Sequence, residues 1–212
     1  MSEFLMLEND WRALFPDQMA VGEELLARWS EEHRHYHNVD HLALMLSVVD
    51  DHANSADDAD AVRLAAWFHD IVYDPTRTDN EIASAEYAAT TLGGLNVEPA
   101  RLAEIVRLIW LTTNHNVESG DRNGALLCDA DLAILASTPA AYAAYAGAVR
   151  EEYRHVHDDA FRAGRIAVLT GLLDLEQLYH LPALHEAWEE RARDNIAVEI
   201  RALRSSDVED QL

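Results

Sequence analysis

Apolar residues recur along most of the chain at intervals of three and four, the spacing of one face of an α-helix. Alanine, leucine, glutamate and arginine dominate these segments, and Gly and Pro fall mostly between them. No run of alternating β-branched residues indicates a strand. The pattern predicts an all-α fold, with helices at 17–31, 39–53, 58–73, 80–92, 99–113, 158–174 and 182–204, a short helix that carries Asp131, and another that begins at Thr138-Pro139.

Residues suited to capping mark several of these helix ends. Asp17 and Asn38 precede amphipathic segments, and Asp79 precedes a helix that should stop at Gly93-Gly94. The side-chain oxygen of such a residue accepts a hydrogen bond from a free N–H group in the first turn. From Ser205 onwards the acidic tail is expected to fray.

The continuity of the chain predicts a single helical-bundle domain over residues 1–212. The sequence contains no internal repeat, no low-complexity tract and no linker long enough to divide it. We expect a core at about 33–135, with C-terminal helices at 138–204 packed on it. Small residues at 140–149 favour close helix packing, which would serve either this core or a homodimer.

Composition restricts the partners and the compartment. The chain has 39 acidic and 16 basic residues and a net charge of -23, and every basic residue is arginine. Such a surface should repel nucleic acids and anionic membranes. Cys128 is the single cysteine, which fits a reducing compartment. The first ten residues lack the basic region and long apolar core of a signal peptide, so we expect a cytoplasmic protein.

The adjacent pair His69-Asp70 lies in an otherwise apolar run. Burial of two such side chains among apolar neighbours costs free energy unless something pairs with them, and a divalent metal ion would do so. His41 and Asp131 are candidate ligands from other helices. We therefore expect one metal ion bound by His41, His69, Asp70 and Asp131. These nitrogen and oxygen donors suit Mn, Mg, Fe, Co, Ni or Zn, and four protein ligands would leave open positions for water and substrate.

These motifs resemble the HD superfamily of metal-dependent phosphohydrolases, and most of all a bacterial branch of predicted phosphohydrolases. The resemblance covers about residues 25–200. The motifs that carry it are the segment 35–41 (His-Tyr-His-Asn-Val-Asp-His), the segment 65–70 (Ala-Ala-Trp-Phe-His-Asp), Asp79-Asn80-Glu81 and Asp129-Ala130-Asp131-Leu132.

The resemblance implies roles for particular residues. The first motif is similar to the Tyr-His-Asn-x-x-His box of cyclic-nucleotide phosphodiesterases, which implies that His37 is the general acid and His41 a metal ligand. The family pattern also favours Asp131 over Asp129 as the last ligand, which would leave Asp129 to cap the short helix. Tyr73 stands where those phosphodiesterases have a further histidine, a departure that weakens the case for two metals and for cyclic nucleotides.

Other polar residues are candidates for supporting roles. Asp70, or a nearby carboxylate such as Asp74 or Glu81, could accept the proton of an attacking water. His115 could be a ligand of a second ion or, equally, a cap or surface residue. Four arginines could neutralise phosphoryl oxygens, although each taken singly also fits a surface ion pair. These are Arg34, Arg77, Arg162 and Arg165.

Two functions are consistent with these features. The first is a metal-dependent phosphohydrolase, either a phosphomonoesterase or a phosphodiesterase, that acts on a small phosphorylated metabolite or nucleotide. The alternative is a non-catalytic or regulatory HD domain that binds metal or nucleotide and acts through a protein partner. A purely structural helical bundle would leave the buried His69-Asp70 pair unexplained.

Overall fold

All regular elements of the computed structural model, which describes residues 3–209, are helical. The absence of strands in this range confirms the all-α prediction. The ten α-helices are α1 (Glu3–Leu14), α2 (Met19–Trp29), α3 (Val39–Asp51), α4 (Ala59–Phe68), α5 (Asn80–Gly94), α6 (Pro99–Leu111), α7 (Arg122–Asp131), α8 (Pro139–Glu152), α9 (Asp158–Asp174) and α10 (Pro182–Glu209), and short 3₁₀ helices lie at Ala53–Ser55 and Leu132–Ala136.

The chain divides into two compact units. The first ends at Asp131 and the second begins at Leu132, close to the expected end of the metal-binding core at about residue 135. All of the predicted metal ligands therefore belong to the first unit. The expectation of one domain over the whole chain stays a prediction.

Helix α4 lies at the centre of the first unit, where it contacts α3, α5, α6 and α7. Its residues from Leu64 to Phe68 are almost completely buried. Burial of apolar side chains contributes about 25 cal/mol per Å², so this run of five apolar residues, which covers every side of the helix, is stable only in such a core. The position of α4 brings the His69-Asp70 pair into the interior of the unit.

Helix α4 is shorter than predicted, because it ends at Phe68 rather than at residue 73. His69 still donates its backbone N–H to Ala65 O, but the carbonyl groups of Asp70 and Ile71 accept hydrogen bonds from the Arg34 side chain. The Ser84 hydroxyl bonds both the N–H and the carbonyl of Val72. Side chains from other segments thus replace the helical hydrogen bonds, and the chain turns.

The N-terminal helix α1 was not predicted from the sequence. Only Leu7 and Trp11 of this helix are buried, so its apolar face is too narrow to give a clear helical period. The Trp11 ring packs edge-on against Trp67, with ring centroids 5.4 Å apart. Gly22 of α2 faces the same ring, and a Cβ atom there would lie 2.7 Å from Trp11 Cγ.

The predicted caps have mixed outcomes. Asn38 caps α3 as expected, since its side chain accepts a hydrogen bond from Asp40 N at 2.9 Å. Asp17 does not cap α2, because Gln18 occupies the N-cap position. Asp79 occupies the N-cap position of α5 but makes no capping hydrogen bond there, since its carboxylate pairs with Arg77 instead.

The second unit is built around hydrogen bonds between α10 and the segments before it. Asn195 donates to Leu135 O and to Ser137 O, while Glu199 accepts from Tyr142 and from Arg165. Most small residues on α8 are exposed, so a homodimer through 140–149 stays a prediction. Helix α10 continues to Glu209 where fraying was expected, and residues 210–212 of the predicted tail lie outside the described residues.

Within residues 3–209, no single helix is long and apolar enough to cross a membrane. Two consecutive segments, Arg122–Ala136 and Pro139–Glu152, are long and apolar enough only when they are taken together, and the chain bends between them.

Candidate metal centre

Three helix ends of the first unit supply the side chains of the candidate centre. His41 lies in the first turn of α3, whose start is fixed by the Asn38 cap. His69 occupies the C-cap position of α4, and Asp131 is the last residue of α7. Helix α4 contacts both α3 and α7, which brings the three residues together.

The side chains of His41, His69 and Asp131 meet closely enough to hold a metal ion. One potential ligand atom from each residue lies within 4.8 Å of the other two. The two Nε2 atoms are 3.3 Å apart, and Asp131 Oδ1 is 3.2 Å from His41 Nε2 and 3.6 Å from His69 Nε2. The two histidines are almost fully buried, whereas Asp131 is partly exposed.

The hydrogen bond of the His69 ring fits a metal ligand role, whereas His41 lacks the corresponding bond. His69 Nδ1 donates to Ala66 O at 3.0 Å, so in the neutral ring the Nε2 lone pair faces the cluster. His41 Nδ1 is buried and makes no hydrogen bond, so every polar contact of that ring is made on the Nε2 side. The residues present therefore match the donor set of a divalent ion.

Electrostatics also favour a cation at this position. Burial lowers the pKa of His69, but the charges of Asp70 and Asp131 outweigh it and raise the pKa to about 9. Burial raises the pKa of Asp131, but hydrogen bonds to His115 and His41 and the charge of His69 hold it well below its ordinary value. The carboxylates of Asp70 and Asp131, both with lowered pKa, therefore place negative charge beside the two histidines, which favours a cation there.

Asp70 lies at the edge of this group. Its Oδ2 atom is 3.2 Å from His69 Nε2, but it is not one of the three residues whose ligand atoms are all mutually close. Burial raises the pKa of Asp70, but the charge of His69 and the hydrogen bond to it have the larger effect, so the pKa is lowered. The role of Asp70 as a fourth ligand stays a prediction.

His37, the expected general acid, lies beside the cluster. Its ring stacks on Tyr73 with centroids 4.4 Å apart and meets the His41 ring edge-on at 5.9 Å. The side chain is partly exposed. The His37 charge contributes to the lowered pKa of Asp70. The role of His37 as general acid stays a prediction.

Arg34 has a structural position rather than the substrate-facing one that was expected. Its side chain is fully buried, and it donates to the backbone carbonyls of His37, Asp70 and Ile71 and to the carboxylate of Glu31. The guanidinium group thereby joins the turn before α3 to the turn after α4. An arginine in a histidine-rich turn carries no sequence signal that separates this role from anion binding.

The other three arginines predicted to bind phosphate are paired with carboxylates. Arg77 forms an exposed ion pair with Asp79 at 2.8 Å. In the second unit, Arg165 pairs with Glu199 at 2.8 Å and Arg162 pairs with Asp159. Their role in phosphate binding stays a prediction.

The other carboxylates considered as proton acceptors differ in their hydrogen bonds and in their exposure. Asp74 accepts hydrogen bonds from the backbone and the hydroxyl of Thr76, and Glu81 lies partly exposed in the first turn of α5. Asp129 is completely buried inside α7, so it does not cap a helix, and Asp131 is the aspartate that reaches the histidines. The preference for Asp131 as ligand is thus supported by its place in the cluster.

Comparison of the chain with family models, with curated proteins and with solved structures finds no match in any of the three.

Proposed function

We propose that the protein is a metal-dependent phosphohydrolase of the HD type that acts on a small phosphorylated metabolite or nucleotide. The observation that carries the proposal is the convergence of His41, His69 and Asp131, with Asp70 and His37 immediately beside them. This is the arrangement implied by the resemblance of the sequence motifs.

His41, His69 and Asp131 would hold the ion, with Asp70 next to them. A divalent ion supplies Lewis acidity, which polarises a phosphoryl oxygen and acidifies water. It also supplies positive charge in a protein whose net charge of -23 would otherwise repel an anionic substrate. Since the Arg34 side chain is buried and bonded to the backbone, we do not assign it a direct contact with substrate.

The proton transfers are assigned to residues of the chain. Asp70 lies at the edge of the group, with Oδ2 3.2 Å from His69 Nε2, so its carboxylate can accept a proton from the attacking water. His37 donates a proton to the leaving oxygen, since its ring is partly exposed and is held by stacking on Tyr73. Both side chains are partly exposed, so both the base and the acid can reach a bound substrate.

Metal analysis followed by a substrate panel tests the proposal. Protein purified without chelator is compared with Asp131→Asn and with the matched control Asp51→Asn, whose exposed aspartate lies at the end of α3. We expect about one transition metal per chain in the wild type and the control, and a loss in Asp131→Asn. Phosphomonoesters, nucleotides and cyclic nucleotides are then assayed with added Mn or Co.

The two readouts separate the proposed function from the alternative. Metal-dependent turnover that disappears in Asp131→Asn supports the hydrolase. Stoichiometric metal without turnover of any phosphoester would favour the non-catalytic domain. Absence of metal even after incubation with millimolar Mn or Mg would overturn the hydrolase and leave a helical binding domain.

A further inference from the structure

His115 has an unusual backbone conformation close to the candidate centre. It follows α6 and has a φ of 53°, and Asn96 is the one other non-glycine residue with a positive φ among residues 3–209. This left-handed region is disfavoured for residues with a Cβ atom, and such strain tends to occur where surrounding interactions require it.

The side chain of His115 makes the interaction that accompanies this conformation. Its Nε2 atom lies 2.9 Å from Asp131 Oδ2 and, because a carboxylate oxygen accepts, the ring N–H donates. The other oxygen, Asp131 Oδ1, faces His41 and His69. The two carboxylate oxygens thus have separate partners, with His115 on one side and the candidate ligands on the other.

We propose that His115 is a positioning residue that orients Asp131 for metal binding and is not a ligand of a second ion. The inference rests on the metal site of the proposed function. While His115 Nε2 donates to Asp131 it offers no lone pair, so His115 could bind an ion only through Nδ1 or by giving up this hydrogen bond, and the stoichiometry below tests for that. Histidine–carboxylate hydrogen bonds of this kind fix the orientation of a ligand, and their loss weakens metal affinity by about 10- to 100-fold.

The test is a Co²⁺ titration of the full chain that records both stoichiometry and affinity. His115→Gly removes the ring, and glycine adopts a positive φ without strain, so the backbone turn is retained. Asn96→Gly is the matched control, because it makes the same backbone change at a φ of 59° in the loop between α5 and α6. His115→Gln restores an N–H donor of similar reach.

We expect one Co²⁺ per chain in all four proteins. The affinity should fall at least about tenfold in His115→Gly, remain at the wild-type value in Asn96→Gly, and recover in large part in His115→Gln. Recovery with glutamine distinguishes the hydrogen bond from a general effect on folding, which circular dichroism of each variant checks separately.

Two results would overturn the inference. A wild type that binds two ions, one of which is lost in His115→Gly, would make His115 a ligand. An unchanged affinity in His115→Gly would remove any role in metal binding. A wild type that binds no Co²⁺ would overturn the metal site itself, so failure of the inference and failure of the proposed function are distinguished by the wild-type titration.

Discussion

The Nε2 atoms of His41 and His69 lie 3.3 Å apart, although 28 residues separate them in the sequence. A shared proton or a cation between the two nitrogen atoms would stabilise this contact. In the metal-free protein the proton belongs to His69, since burial lowers the pKa of His41. Binding of a metal ion therefore has to displace that proton.

Metal affinity should consequently depend on pH. Because the metal-free pKa of His69 is raised to about 9, the ring is protonated below that pH and must lose one proton for each ion bound. The apparent affinity should rise by about tenfold per pH unit between about pH 7 and 8.5. Calorimetric titrations in buffers of different ionisation enthalpy measure the protons released. An affinity that does not vary over this range would show that His69 is already neutral.

The same pKa shift predicts the opposite trend for the stability of the metal-free protein. A pKa raised above the ordinary value of 6.5 stabilises the fold fully below pH 6.5, and this stabilisation is lost as the pH rises through about 9. The denaturation midpoint of chelator-treated protein should therefore fall across that window. Saturating metal should abolish the fall, because the ring is then neutral in the folded state.

Substitution of a ligand histidine should abolish metal binding, whereas substitution of a histidine that is not a ligand should leave metal binding unchanged. His41→Ala and His69→Ala are each expected to abolish stoichiometric metal binding, whereas His37→Ala should keep the metal and reduce turnover. His52→Ala is the control, because His52 follows the other end of α3. Elemental analysis and steady-state kinetics of the four variants provide the measurements. If His37→Ala loses metal and His41→Ala retains it, the assigned roles are inverted.

Arg34→Ala should affect stability rather than substrate affinity. Loss of its buried hydrogen bonds leaves the carbonyls of Asp70 and Ile71 without these partners, at a cost of about 3 kcal/mol in the free energy of unfolding. Arg77→Ala, which removes an exposed ion pair, should change it by less than about 0.5 kcal/mol. Urea denaturation compares the two. Unchanged stability with a raised KM would return Arg34 to a substrate-binding role.

Two glycine substitutions should change the free energy of unfolding in opposite directions. Gly22→Ala places a Cβ atom 2.7 Å from Trp11 Cγ, and the Trp11 ring is fixed by its packing and by a hydrogen bond to Gln18 O. A loss of about 1–3 kcal/mol is expected. Gly147→Ala on α8 meets no atom within 4 Å and should increase stability by about 0.5–1 kcal/mol. Thermal melts measure both variants, and a shift of both melting temperatures in the same direction would contradict the prediction.

The sequence predicted those features that depend on local chemistry. The Asn38 cap follows from one side chain and its own helix, and the buried face of α3 follows from helical periodicity. The end of α4 was misplaced, because Arg34 and Ser84 bond the backbone beyond Phe68 and neither is adjacent in sequence. Helix α1 was missed since its buried face consists of Leu7 and Trp11 alone.

In the candidate site, too, features that depend on local sequence were predictable and features that depend on distant contacts were not. His41, His69 and Asp131 were recognisable because each lies in a distinctive motif, and the helices then bring them together. The bond from His115 to Asp131 was not predictable, since it depends on a left-handed turn that no local residue pattern marks. The inward position of Arg34 likewise depends on the path of the chain after α4.

The spread of the candidate ligands over α3, α4 and α7 has a consequence for the folding of the first unit. These residues are remote in the sequence and become neighbours only when the three helices have packed. A bound ion would act as a reversible cross-link between them, because it binds the folded chain in preference to the unfolded one. Metal supply would then set the lifetime of the protein as well as its activity, and chelation would leave a chain that unfolds and is degraded more readily.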